Sequence, residues 1–263
     1  MMRRIRLDVA YDGAGWGGFQ RQGRARGDTI QEALERALGR ILDHPVKVWG
    51  AGRTDAGVHA TGQVVAFDTS SPRSLEALVR GGNALLPPSI RILAARPVPS
   101  SFHPRFSALS RTYHYLILNH PRPDVLLRGR AWQVAQPLDA VAMGRAAQDL
   151  LGVHDFSSYC SGVPARANRV RHLLEIDILP PPPLRAPEPL GVTGAVWTLR
   201  LRANAWLRRM ARLLTAALVA VGTGEWPPER PAQVLAARDN ALAAPPAPAE
   251  GLYLVSVEYP EGL

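Results

Sequence analysis

Gly50-Ala51-Gly52-Arg53-Thr54-Asp55-Ala56-Gly57-Val58-His59-Ala60-Thr61-Gly62 places four glycines in thirteen residues. Val46 and Val48 precede this stretch and Val64, Val65 and Phe67 follow it, so the flanks read as strands. A polar loop framed by glycines and held between two strands is where reactive side chains are commonly presented. In an extended backbone Arg53 and Asp55 project to the same side, because side chains alternate with period two. Asp55 is the candidate catalytic residue. Spacing alone also admits a Gly-rich hairpin with a surface ion pair. No Gly-Lys-Ser/Thr ending follows the glycines, so the stretch is not a P-loop. One His and one Asp four residues apart make a thin ligand set, so no metal is expected.

Working outward, Ile5, Leu7, Val9 and Tyr11 alternate with polar or small residues and predict a first strand. Gly13, Gly15 and Gly18 then fit a G-x-G-x-x-G pattern. A dinucleotide fingerprint needs a helix opening on those glycines and an acidic residue closing the next strand. Phe19 to Gly27 intervene instead, with Arg21, Arg24 and Arg26, and suit a phosphate backbone better. Asp28-Thr29-Ile30-Gln31 reads as a capping box with Asp28 as N-cap, opening an amphipathic helix from Ile30 to Leu42 that Pro45 stops. Strands over Val46–Trp49 and Gln63–Asp68, a helix from Pro72 to about Leu86 and a strand over Ile90–Val98 complete the order β-α-β-β-α-β, a ferredoxin-like or RRM-like unit.

The second half reads the same way. A strand over Arg111–Leu118 is followed by a helix from about Leu138 to Leu151 and strands over Val170–Leu179 and Val192–Ala203. Pro180 to Pro189 reads as a rigid, solvated linker between those strands. A helix from about Ala205 to Val221, a short helix near Ala232–Ala237 and a strand over Leu252–Tyr259 complete it. The expectation is an α+β protein of two βαββαβ halves with antiparallel sheets, divided at 1–107 and 108–263. Set edge to edge, the halves would leave a central cleft with the Asp55 loop on its wall.

The 263 residues carry a formal charge of +9, which points to an anionic partner, nucleic acid first. Lys47 is the single lysine, and every other strong base is arginine, suited to bidentate phosphate contacts and to stacking. Cys160 is alone, so a single chain holds no disulfide or thiolate zinc site. The opening residues lack an apolar signal core, and the aliphatic stretch Leu213–Val221 is too short to span a bilayer. A cytoplasmic protein without a membrane segment is expected.

Tyr113 and Tyr115 share one strand face and either pack in a core or meet a base. On the Ala205–Val221 helix, Trp206, Met210, Leu213, Leu214, Ala217 and Val221 make the apolar face, with Arg208, Arg209 and Arg212 opposite. His154, Asp155 and Ser157 are neighbours along the chain, and neighbours rarely make a working triad, so they read as a capped turn.

Gly52-Arg53-Thr54-Asp55-Ala56-Gly57-Val58-His59-Ala60 resembles the active-site motif of the TruA family of tRNA pseudouridine synthases. Tyr11-Asp12-Gly13, Phe19-Gln20-Arg21-Gln22, Phe102-His103-Pro104-Arg105-Phe106-Ser107-Ala108 with Arg111-Thr112-Tyr113-His114-Tyr115, Gly152–Ser157 and Ala247–Leu252 are similar to other family segments. The resemblance implies a pseudouridine synthase fold and no cofactor. It makes Asp55 the catalytic carboxylate, Tyr113 the active-site tyrosine and Tyr115 structural. Met210-Ala211-Arg212 is similar to the segment whose arginine pairs with that aspartate, though Ala211 stands where Val is usual and Trp206 where Phe is expected. Arg53 is placed to fill the space a flipped base leaves. Arg21, Arg24, Arg26, Arg208 and Arg209 are candidate RNA contacts. The implied substrate is uridine on the 3′ side of the tRNA anticodon stem–loop, and the implied assembly a homodimer. Against this stand a non-catalytic tandem-RRM-like RNA-binding protein, which would show exposed aromatics on the sheet, and a dinucleotide-dependent oxidoreductase.

Overall fold

The computed structural model describes residues 2–21, 28–164, 166–181 and 195–263. The chain divides into two compact units, Met1–Arg111 with Tyr253–Leu263, and Thr112–Leu252. The division falls four residues beyond the expected 107/108 boundary, and the last strand belongs with the first unit.

Unit 1 has the predicted order, β1 (Arg3–Tyr11), α1 (Ile30–Leu42), β2 (Trp49–Gly50), β3 (His59–Thr69), α2 (Leu75–Leu85) and β4 (Ile90–Val98). β1 is central and antiparallel to both β3 and β4, with Ile5 opposite Phe67 and Leu7 opposite Val65. β2 adds to β3 antiparallel at Trp49↔Ala66, giving the strand order of a ferredoxin-like unit. Ile5, Leu7, Val9, Val65 and Phe67 share one sheet face by their pairing and are wholly or almost wholly buried. The opposite face is covered too: Phe102 packs with Ala51, Val64 and Ala66, and Val98, Val257, Tyr259 and Leu263 lie against them.

Several boundaries differ from expectation, each for a local reason. Thr29, not Asp28, is the N-cap of α1. Its hydroxyl accepts from Glu32 N–H while the Glu32 carboxylate accepts from Thr29 N–H, so the box runs Thr29-Ile30-Gln31-Glu32. Asp28 instead pairs with Arg36 at 3.1 Å. The helix stops at Asp43, which takes φ 61°, before Pro45 is reached. Ser74 caps α2, so that helix opens at Leu75 rather than Pro72. Of the expected Val46–Trp49 strand only Trp49 pairs with β3, the strand continuing to Gly50, whereas β3 itself starts early, at His59.

Unit 2 holds β5 (Ser110–Asn119, from Thr112 onward), β6 (Trp132–Val134), α3 (Ala140–Gln148), β7 (Gly152–Asp155), β8 (Val170–Leu179), β9 (Ala195–Ala203), α4 (Met210–Gly222) and α5 (Arg230–Ala237). β9 lies between β5 and β8, β7 closes the edge beyond β8, and β6 pairs parallel with β5. β6 and β7 are additions to the expected order. α3 is shorter than the expected Leu138–Leu151 because Asp139 caps it, accepting from the N–H groups of Val141 and Ala142. α4 begins at Met210 rather than Ala205, because Arg209 takes the left-handed φ of 64° and no helix can continue back through it. Most of the expected Pro180–Pro189 linker, and Val192 to Gly194 of the expected strand, lie outside the described residues. The last strand, β10 (Leu252–Glu258), runs parallel to β3 at Tyr253↔His59 and Leu254↔Ala60, within unit 1. Among the described residues no helix is long and apolar enough to cross a membrane.

Candidate active site

The loop Ala51–Val58 is fixed at both ends and from beneath. Ala51 N–H donates to Val64 O at 2.8 Å, and Ala51 O accepts from the Arg111 guanidinium at 3.0 Å. Gln63 Nε2 donates to Gly52 O at 2.9 Å and to the Tyr11 hydroxyl at 3.3 Å. Tyr11 in turn shares a 2.8 Å hydrogen bond with Thr54 Oγ1. Burial pushes the Tyr11 phenol up to about 12, against the Thr54 and Gln63 hydrogen bonds, so it stays a neutral hydroxyl. Val58 N–H closes the far turn on Asp55 O at 3.2 Å.

Thr54 is buried, its neighbour Arg53 is exposed and Asp55 is half-buried. Thr54 points inward to Tyr11, so the backbone that carries Arg53 and Asp55 on either side of it is anchored from below.

The glycines after β1 serve this loop rather than a dinucleotide. A Cβ on Gly13 would come within 2.1 Å of Val58 O, and one on Gly18, at φ +99°, within 2.9 Å of Thr54 O. Phe19 N–H donates to that same Thr54 O at 3.1 Å. Only glycine permits so close a backbone approach. The loop's exit is held by His59, whose Nδ1 lies 3.0 Å from Asp12 Oδ1 and 3.1 Å from Gly13 N, and whose ring stacks on Tyr253 at 4.6 Å. Tyr11, Gln63, His59 and Tyr253 were not among the expected site residues. The strand period marks Tyr11 and Gln63 as inward, but their partners lie up to 52 residues away in the chain, beyond any local pattern.

Of the remaining candidates, Tyr113 is buried in unit 2 and meets Trp206 edge to face at 5.3 Å. Tyr115 is fully buried, donates its hydroxyl to Pro248 O at 2.8 Å and fills the space a side chain at Gly251 would need. That is a packing role. Arg212, in the first turn of α4, is half-buried with Nε donating to Ala247 O at 2.6 Å. Arg208 and Arg209 are exposed but precede α4, so they lie on a turn rather than on its basic face. Arg21 is ion-paired with Glu35 at 2.7 Å and with Glu32 at 3.5 Å while remaining 59% exposed. Arg24 and Arg26 lie outside the described residues.

His154, Asp155 and Ser157 form no relay. Ser157 donates both N–H and Oγ–H to Asp155 Oδ1, at 2.9 and 2.6 Å, while His154 Nε2 contacts Leu151 O at 2.6 Å. Among the described residues no group of three His, Cys, Asp or Glu side chains is placed to hold a metal ion.

Unit 1 thus carries Arg53 and Asp55 two residues apart on a Gly-framed loop between β2 and β3 of a ferredoxin-like unit. The tRNA pseudouridine synthase family matches residues 9–107 and 146–260, and the chain belongs to that family. It is 46% identical over 257 residues to tRNA pseudouridine synthase A of Burkholderia vietnamiensis, covering 98% of this chain and 90% of that protein. The same protein of Burkholderia multivorans is also 46% identical over 257 residues, and that of Burkholderia mallei 44% over 259, at the same coverages. The family membership makes the chain an isomerase.

Proposed function

We propose that the chain isomerises uridine to pseudouridine on the 3′ side of the tRNA anticodon stem–loop, with Asp55 as the catalytic carboxylate. The observation that carries this reading is the buried Tyr11–Thr54 hydrogen bond, which fixes the backbone from which Asp55 projects. The reaction breaks N1–C1′ of the nucleotide and forms C5–C1′; C5 loses a proton and N1 gains one. No electron acceptor and no phosphate transfer is required. The reacting group this reading asks of the protein is the Asp55 carboxylate. Such a carboxylate can attack C1′, add to C6 or remove a sugar proton, and all three routes depend on it.

The target nucleotide must leave its stack first, at a cost of a few kcal/mol. Exposed Arg53, two residues from Asp55, fills the vacated space in this reading. Arg212 is the proposed ion-pair partner of Asp55, its guanidinium oriented by the hydrogen bond to Ala247 O. Tyr113, packed against Trp206, is proposed to meet the flipped base and relay the C5 proton. Arg21, Arg208 and Arg209, all exposed, are proposed phosphate contacts, with Arg24 and Arg26 beside Arg21 in sequence. A homodimer working in the cytoplasm is part of the same proposal.

The covered sheet favours this reading over a tandem-RRM-like binder. An RRM-like platform leaves its sheet face open to bases, whereas here Phe102, from the segment that follows β4, packs on Val64 and Ala66 of that face. The test is tritium release from tRNA transcribed with 5-tritiated uridine. Release by the wild type and none by Asp55→Asn is the expected result; full activity in Asp55→Asn would refute all three routes.

A further inference from the structure

The turn Phe102–Ser107, on unit 1, is unused by the chemistry above, yet it is tied down along its length. Phe102 N–H donates to Pro99 O, His103 N–H to Ser107 Oγ, and Ser107 N–H to His103 O, all at 2.9–3.0 Å. Arg4 donates to Phe102 O at 2.8 Å, Tyr259 to Pro104 O at 2.7 Å, and Arg111 to Arg105 O. Arg111 also holds Ala51 O, so one guanidinium joins this turn to the root of the Asp55 loop.

From that fixed turn Phe106 projects with 75% of its surface exposed. One exposed apolar side chain is ordinary. This one belongs to a row. Its ring lies 4.5 Å from that of His103, which lies 6.3 Å from Trp49. A guanidinium flanks each end: Arg105 is 5.5 Å from the Phe106 centroid, and Arg4 is 5.2 Å from that of Trp49. Asp68 is engaged by Arg4 through both carboxylate oxygens. His103 Nδ1 accepts the N–H of Arg105 at 3.1 Å, and burial together with Arg4 and Arg105 holds its pKa below the usual range. The imidazole is therefore a neutral aromatic spacer rather than a third cation.

The geometry points to a stacking platform: Phe106 takes an unpaired base of the bound tRNA on its open face, and Arg105 takes an adjacent phosphate. An aromatic face accepts any base, and a guanidinium beside it matches the phosphate that accompanies every base. A chain of net charge +9 suits that occupant. This inference rests on the reading of tRNA as substrate.

The test titrates an unmodified tRNA transcript with the full chain over a salt series, while pseudouridine formation is read on the same transcript. Phe106→Ala should weaken binding by roughly five- to a hundredfold, the range of one lost base stack, with the salt slope unchanged. Phe106→Trp should bind within about threefold of wild type, since a larger π-face is kept. Arg105→Ala should lower the salt slope by about one phosphate contact. Binding of Phe106→Ala within about twofold of wild type, or equal loss in Phe106→Trp, would overturn the platform. If Phe106→Ala instead changes the sedimentation of the free protein and leaves tRNA affinity alone, a second copy covers the ring and the proposal falls. A wild type that binds tRNA but makes no pseudouridine sinks the substrate reading, while the Phe106 comparison is still read from binding.

Discussion

Two short segments pair a hydroxyl with an aspartate, and they use them in opposite ways. At Asp155 the hydroxyl of Ser157 turns back onto its own neighbour, and the carboxylate closes a turn at the end of β7. At Asp55 the adjacent hydroxyl, Thr54, reaches down to Tyr11, across 43 residues of sequence. The loop is anchored through Thr54, Ala51 and Gly52. The same residue types therefore give a structural turn in one unit and a presented carboxylate in the other. What separates them is where the hydroxyl finds its partner.

The comparison breaks most sharply at the carboxylates. Asp55→Asn should reduce single-turnover tritium release by about 10²–10⁴-fold or more, the range of a lost acid–base group, whereas Asp155→Asn should leave it within about twofold. Next is the anchor. Thr54→Ala removes a buried hydrogen bond and should cost about 1–3 kcal/mol of stability, read as a drop of several degrees in Tm. It should also lower kcat by up to about a hundredfold through misplacement of Asp55, with KM little changed. Thr54→Ser, which keeps the hydroxyl, should recover most of both losses. Arg53→Ala should lower turnover about tenfold while tRNA affinity changes less; the reverse split would remove Arg53 from the chemistry.

The smallest effect is the pH dependence at Asp155. The Ser157 hydroxyl hydrogen bond, opposed by burial and helped by Ser157 N–H, holds this carboxyl below its ordinary value of 3.8. A folded-state pKa below the unfolded one stabilises the protein above about pH 4 and loses that contribution as pH falls through the folded value. The Tm gap between wild type and Asp155→Asn should therefore be constant near neutrality and narrow below about pH 4.

Much of this was legible from local pattern. Alternation in Ile5–Tyr11 and the apolar stripe of Ile30–Leu42 located β1 and α1, and β4 and β8 lie where strands were expected. Local pattern failed where a single backbone angle or a short pairing decides. Arg209 at φ 64° delays α4, and no composition signal marks it. β6 and β7 are three and four residues long, too short to show a period. The capping box lies one residue out of register from the expected one, because Asp28 with Gln31 and Thr29 with Glu32 both fit the pattern, and Gln31 is engaged instead by Glu35 and Val48 O. At the candidate site, Asp55 and Arg53 stand out through the loop's resemblance to the family motif, spacing alone leaving them a surface ion pair, but Tyr11, Gln63 and the backbone role of Gly13 and Gly18 depend on contacts between distant segments.

The return of Tyr253–Leu263 to unit 1 also sets a schedule for synthesis. The 141 residues from Thr112 to Leu252 must be made after Arg111 before unit 1 has all of its strands. At about 5–20 residues per second that is roughly 7–28 s. Through that interval the start of β3, at His59 and Ala60, has no β10 alongside it, and His59 has no Tyr253 ring to stack on. An unpaired strand edge invites pairing with other chains. The nascent chain is thus most exposed to misassembly beside the Asp55 loop, until Tyr253 and Leu254 arrive to cover that edge.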